Sequence, residues 1–119
     1  MDLNLILMLD KFREEIKTPI YVSCGTQGKH VSHSLHYSGN AVDVLFPNKL
    51  MEDLPTLCDT AEKIGFTGIG IYNCWNLNHV STPGMHLDNR PGKIKKWIGL
   101  ETMYLPYNEV NVKRYFSGI

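Results

Sequence analysis

Residues 40–46, Asn-Ala-Val-Asp-Val-Leu-Phe, alternate along a run rich in Val, Leu and Phe, and no other stretch constrains the fold as strongly. The pattern predicts a buried strand. An acid, Asp43, falls inside it, where an ionised carboxylate is unfavourable unless a cation pairs with it. His36 lies seven residues upstream, with Gly39 and Ala41 between the two. Small residues at those positions point to close approach by other parts of the chain. Spacing alone leaves two readings open. A tight turn brings the imidazole and the carboxylate together as half of a metal site, or Asp43 is a core acid hydrogen-bonded to a loop with His36 beside it at the surface.

A length of 119 residues suits one domain over residues 1–119, long enough to bury a core and too short for two. Lys plus Arg equals Asp plus Glu at 12 each, a balance that argues against non-specific nucleic-acid binding. The three cysteines, Cys24, Cys58 and Cys74, show no Cys-x-x-Cys spacing. They suggest neither a disulfide framework nor a thiolate cluster, and Cys24 and Cys58 read as small core residues. Met1-Asp-Leu-Asn lacks the basic start of a secretion signal, and no apolar run reaches membrane-span length. The expectation is a monomer made in the cytoplasm, without membrane insertion.

Residues 2–17 place Leu3, Ile6, Leu7, Leu9, Phe12 and Ile16 at mostly helical spacing, with Asp2 as N-cap and Thr18-Pro19 as the stop. A short strand follows over 20–24. The next loop carries His30, His33 and His36. A second amphipathic helix is expected over 51–64, closed by Gly65, and a strand over 66–72 with Gly68 and Gly70 on one face. Residues 73–84 read as an irregular polar loop containing His79. Met85-His-Leu-Asp-Asn-Arg90 alternates, with His86 and Asp88 sharing a face. Residues 93–98 suggest a short helix, and an aromatic tail follows (Tyr104, Tyr107, Tyr115, Phe116). Two helices and about four strands with short connections indicate an α+β domain with a small, mainly antiparallel sheet and flanking helices.

Ser34-x-His36-x-x-Gly39-x-Ala41-x-Asp43 resembles the first zinc motif of the D-alanyl-D-alanine carboxypeptidases and related phage endolysin peptidases. These metallopeptidases share a superfamily with the hedgehog signalling domain. The resemblance implies that His36 and Asp43 are zinc ligands and that a later strand supplies a third. Met85-His-Leu-Asp-Asn-Arg90 fits the context of that later ligand, making it His86. On its own, His86-x-Asp88 also reads as an exposed pair on an edge strand. Gly68-Ile-Gly-Ile-Tyr72 is similar to the strand that precedes the last motif in that family. The likeness spans roughly residues 20–97.

Two histidines and a carboxylate leave a fourth position for water, as in a catalytic zinc site. Ser34, Gly39 and Tyr37 would support the first motif, Tyr37 with access to substrate, and Asp88 could hold a ligand or Arg90 in place. Two departures from the family's pattern stand out. Pro83 and Gly84 occupy positions where family members carry a base, which leaves Asp88 as first candidate for proton transfer and His79 as second. Cys24-Gly-Thr-Gln27 replaces a run whose last residue is a carboxylate-binding arginine. Gln27, His30 or Lys29, and Arg90 are then the candidates for substrate contact, with Gly28-Lys-His30 resembling a phage-type variant.

The implied function is zinc-dependent hydrolysis of a peptide bond in bacterial cell-wall peptides, either a peptidoglycan stem peptide or another D-amino-acid peptide. A phage lysis protein released to the wall or a cytoplasmic dipeptidase would both fit. The alternative from another class is a non-catalytic binding module that keeps zinc, and a metal-free fold is the third possibility.

Overall fold

Local signals at the chain's start act as the sequence predicts. The computed structural model describes residues 2–23 and 40–117. Helix α1 (Leu3–Ile16) begins where the Asp2 carboxylate accepts a hydrogen bond from the Leu5 N–H at 3.1 Å, satisfying a donor that has no partner within the helix. Its buried face differs from the expected stripe. Leu5 and Phe12 are inside, whereas Leu3, Ile6 and Leu7 are exposed. The first two turns are apolar nearly all round, so periodicity alone admits several stripes. Phe12 sets the rotation by packing edge-on against Phe46 and Phe66, with ring centroids 6.2 and 6.1 Å away.

Six strands form one sheet: β1 (Tyr21–Ser23), β2 (Ala41–Leu45), β3 (Gly68–Tyr72), β6 (Gly84–Asp88), β7 (Lys95–Gly99) and β8 (Tyr104–Pro106), in the order β1-β2-β6-β3-β7-β8. Every pairing is antiparallel except β3 with β7, which is parallel. Two short strands, β4 (Asn76–Leu77) and β5 (Val80–Ser81), make a separate hairpin. Helix α2 (Leu54–Ile64) follows a 3-10 turn (Met51–Asp53) and ends at Gly65, whose φ of 119° suits a residue without a Cβ. Helix α3 (Glu109–Phe116) closes the chain, with the Asn108 side chain capping the Asn111 N–H at 2.9 Å.

The described residues thus form an α+β domain, with a mixed six-stranded sheet and three helices among them. Val42, Val44, Ile69, Ile71, Met85, Leu87 and Ile98 point from the sheet into one core with Leu5, Phe12, Leu54, Leu57, Cys58, Ala61 and Phe116 from the helices. Because strand side chains alternate, Asp43, His86, Asp88 and Trp97 face the opposite side.

Three expectations need correction. Residues 93–98 contribute to strand β7, not to a helix. Ile94, Trp97 and Ile98 have helical spacing, but pairing with β3 and burial of Ile98 decide the conformation. The stretch 73–84 contains the β4–β5 hairpin, whose Asn78 and His79 both have positive φ, 52° and 68°, as in a two-residue type I′ turn. The aromatic tail contains β8 and α3. No helix among the described residues is long and apolar enough to cross a membrane.

Candidate functional site

A single row of paired residues crosses the sheet: Ser23 beside Asp43, Asp43 beside His86, His86 beside Gly70, and Gly70 beside Trp97. Cross-strand partners share a face, so these five strands direct this row of residues to one surface. The His86 Nδ1 lies 3.3 Å from Asp43 Oδ1. On the other edge of the ring, His86 Nε2 lies 2.6 Å from Asp88 Oδ2. The imidazole is therefore held between two carboxylates, one on the neighbouring strand and one two residues along its own.

Asp88 is fully buried. Arg90 donates to it from Nη2 at 2.6 Å, from Nε at 2.9 and 3.2 Å, and from its own backbone N–H at 3.1 Å. The guanidinium also lies over the Trp97 ring, 5.2 Å from its centroid. Burial by itself would raise the Asp88 carboxyl's pKa. The bonds from His86 and Arg90 outweigh it and hold the group well below the ordinary carboxylate range. An ionised Asp88 takes the Nε2 proton as a hydrogen bond, which leaves Nδ1 as the nitrogen turned toward Asp43. Burial pulls the His86 pKa down, but bonding to Asp43 and Asp88 carries the net shift upward.

Two glycines make room for this arrangement. A Cβ on Gly68 would come within 2.1 Å of the Asp88 carboxylate, and one on Gly70 within 2.4 Å of the Trp97 indole. Trp97 Nε1 donates to the Tyr72 hydroxyl at 2.9 Å. Burial pushes that hydroxyl far above the usual phenol range despite the bond from Trp97, so Tyr72 stays protonated. The Gly68-x-Gly70-x-Tyr72 alternation could have placed Tyr72 on this face from sequence. Trp97 gave no such signal, because its stretch reads as helix.

The first-motif residues Ser34, His36, Tyr37 and Gly39 lie outside the described residues, as do Gln27, Lys29, His30 and His33. The structure brings Asp43, His86, Asp88 and Arg90 together. His79 sits exposed at the hairpin turn, and among the described residues no hydrogen bond joins it to that group. Beside Asp43, a pocket of about 350 Å³ is lined by Ser23, Asp43, Leu45, Cys74, Trp75 and Asn76.

The donor chemistry at Asp43 and His86 fits zinc. Two atoms each about 2.0–2.2 Å from one ion in tetrahedral geometry lie roughly 3.3–3.5 Å apart, and the Oδ1–Nδ1 separation is 3.3 Å. Nε2 is meanwhile tied to a carboxylate, the usual support for a metal-binding histidine. The same separation also suits a direct contact between a protonated imidazole and a carboxylate. Among the described residues no three His, Cys, Asp or Glu side chains converge as a metal-binding group, and the expected third ligand, His36, is not among them. Comparison with protein-family models, curated proteins and solved structures gives no match to this chain.

Proposed function

We propose that the chain is a zinc-dependent peptidase acting on bacterial cell-wall peptides, with Asp43, His86 and His36 holding the metal. The observation that carries this reading is His86 itself, which turns Nδ1 toward Asp43 while Asp88 secures Nε2. The motif resemblance supplies the substrate class and the finer fold assignment, a hedgehog- or D-Ala-D-Ala-peptidase-like domain. It also leads to a phage-type lysis protein or a dipeptidase as the biological setting.

Zinc bound there would supply Lewis-acid polarisation of the scissile carbonyl and activation of a water. The chain's own residues do the rest. Asp88 fixes the His86 tautomer and ring orientation, and Arg90 keeps Asp88 ionised. Tyr72 presents a neutral hydroxyl on the same face, oriented by Trp97. Asp88 is in this reading a positioning residue, since both of its oxygens are engaged and its proton affinity is low. His79, on the hairpin that also carries Asn76 of the pocket, is then the candidate left for proton transfer.

One observation favours a second reading, a non-catalytic zinc-containing binding module. Asp88, the acid nearest His86 along its strand, is consumed by Arg90, and Pro83 and Gly84 carry no titratable group. Incubating the zinc-loaded protein with purified peptidoglycan and with D-Ala-D-Ala separates the two. Product release by wild type but not by His86→Ala supports the peptidase. Zinc binding without release by wild type leaves the binding module.

A further inference from the structure

Trp97 and His86 sit on strands that are not neighbours. Strand β3 runs between β6 and β7, and its Gly70 is the cross-strand partner of both residues. Two strand spacings of about 4.8 Å put their backbones roughly 10 Å apart. Their rings nevertheless meet, with centroids 5.1 Å apart and planes inclined at 48°. Gly70 permits the contact, because the indole crosses the space that a Cβ there would fill. Trp97 is itself held: Nε1 donates to the Tyr72 hydroxyl at 2.9 Å, and the Arg90 guanidinium lies over its ring. Tyr72 is fixed in turn. Its ring lies over Gly99, and Trp75, seated over Gly84, stacks on it with centroids 4.1 Å apart and planes 11° from parallel. Three aromatic rings thus brace one another, each in the room left by a glycine, and the chain of contacts ends on His86.

We propose that Trp97 is the positioning residue for His86, its indole holding the imidazole in the orientation that turns Nδ1 to Asp43 and Nε2 to Asp88. The inference rests on the zinc-site reading and adds to it the group that sets the ring's plane. A histidine's second torsion has broad, roughly two-fold minima, so the strand alone does not choose one orientation. A half-turn would bring carbons to the places where the nitrogens meet the two carboxylates. Asp43 stands on the β2 side of the ring and Trp97 on the β7 side. Asp88 holds the ring along its own strand. The imidazole is therefore bounded in both directions of the sheet. Trp97 also acts through Asp88, since the guanidinium that donates to that carboxylate is covered by the indole face. Without the indole, both His86 and Arg90 gain room to turn.

The test uses the full chain, with Trp97→Phe, which keeps a flat aromatic wall, and Trp97→Leu, which keeps apolar bulk without one. In zinc-free wild type, NMR should show nuclear Overhauser contacts between the Trp97 indole and the His86 ring protons. It should also show a downfield His86 imidazole N–H, bonded to Asp88. That N–H should persist in Trp97→Phe and be lost to exchange in Trp97→Leu. Zinc affinity, from competition with a chromophoric chelator, should fall about 10–100-fold in Trp97→Leu, as when a group supporting a metal-binding histidine is removed. Trp97→Phe should recover most of that loss. Absence of the indole–imidazole contacts in wild type overturns the proposal without any variant. A folded Trp97→Leu that keeps both the N–H resonance and wild-type affinity overturns it, as do equal losses in the two variants. A wild type that takes up no zinc, while the N–H is lost only in Trp97→Leu, removes the metal site and leaves the positioning role. Wild-type zinc uptake with affinity unchanged in Trp97→Leu does the reverse.

Discussion

His86 and Asp43 are direct cross-strand partners, and their Nδ1 and Oδ1 atoms stand 3.3 Å apart on the face of the sheet that turns away from the helices. Strand register alone produces this juxtaposition. A one-residue slip of β6 against β2 would put His86 in the core and Leu87 in its place.

Asp88 governs what His86 can do. Asp88→Asn keeps the shape but removes the charge that holds the Nε2 proton and the Arg90 guanidinium. Zinc affinity should fall about 10–100-fold, the usual effect of losing a group behind a metal-binding histidine. Competition against a chromophoric chelator measures it. Affinity equal to wild type would remove Asp88 from the site's support.

The glycines beneath the site are expected to be intolerant of a single methyl group. Gly70→Ala drives a Cβ toward the Trp97 indole, and Gly68→Ala drives one into the Asp88 carboxylate. Each should destabilise the fold by about 1–3 kcal/mol, the range for overpacking, measured as a lower urea midpoint. Gly68→Ala should in addition weaken zinc binding, because it displaces the group behind His86. Gly92→Ala isolates the other cost of replacing a glycine: a Cβ there meets nothing within 4 Å, so any loss comes from a φ of 99° that an L side chain adopts only with strain.

Phe12 joins α1 to the rest of the core through Phe46 and Phe66. Phe12→Ala should cost about 3–5 kcal/mol, a large part of the roughly 5–15 kcal/mol that holds a domain together. A thermal or denaturant melt reads the loss directly. Leu7→Ala, on the exposed side of the same helix, should change stability by less than about 0.5 kcal/mol.

Burial pushes the Cys58 thiol up to about 11, against a smaller opposing effect of Tyr107. The folded state thus resists forming the thiolate between the ordinary thiol range and about 11. Because the pKa is raised, its contribution to stability is full below the unfolded thiol's pKa and is lost as pH rises across that interval. Iodoacetamide at pH 8 should leave Cys58 unmodified in native protein and label it after denaturation, as peptide mapping by mass spectrometry would show. Native labelling of Cys58 would contradict its full burial in the core.

Much of this architecture is legible in the sequence where the signal is local. Asp2, Thr18-Pro19 and Gly65 mark helix ends, and alternation around Asp43 and His86 marks two strands and the face their polar residues share. The parallel pairing of β7 with β3 is not legible, because it joins segments far apart and overrides the helical spacing of Ile94, Trp97 and Ile98. The rotation of α1 is hidden for another reason: residues 3–9 are so apolar that several faces could be buried, and only Phe12's neighbours choose one. At the site, the sequence points to Asp43 and His86 on strands. That Asp88 is enclosed by His86 and Arg90, and that Trp75 is fixed on Tyr72 above Gly84, depends on register and on glycine positions in neighbouring strands.

Zinc stoichiometry is the most direct test of the central claim, that Asp43 and His86, with His36, hold one ion. Wild type, Asp43→Ala, His86→Ala and His36→Ala are to be loaded with zinc, desalted and analysed by inductively coupled plasma mass spectrometry, with circular dichroism to check the fold. The expected result is about one zinc per wild-type chain and a loss of most of it in each variant that retains a native spectrum. A wild-type chain that retains no zinc, or folded variants that retain as much as wild type, would contradict it.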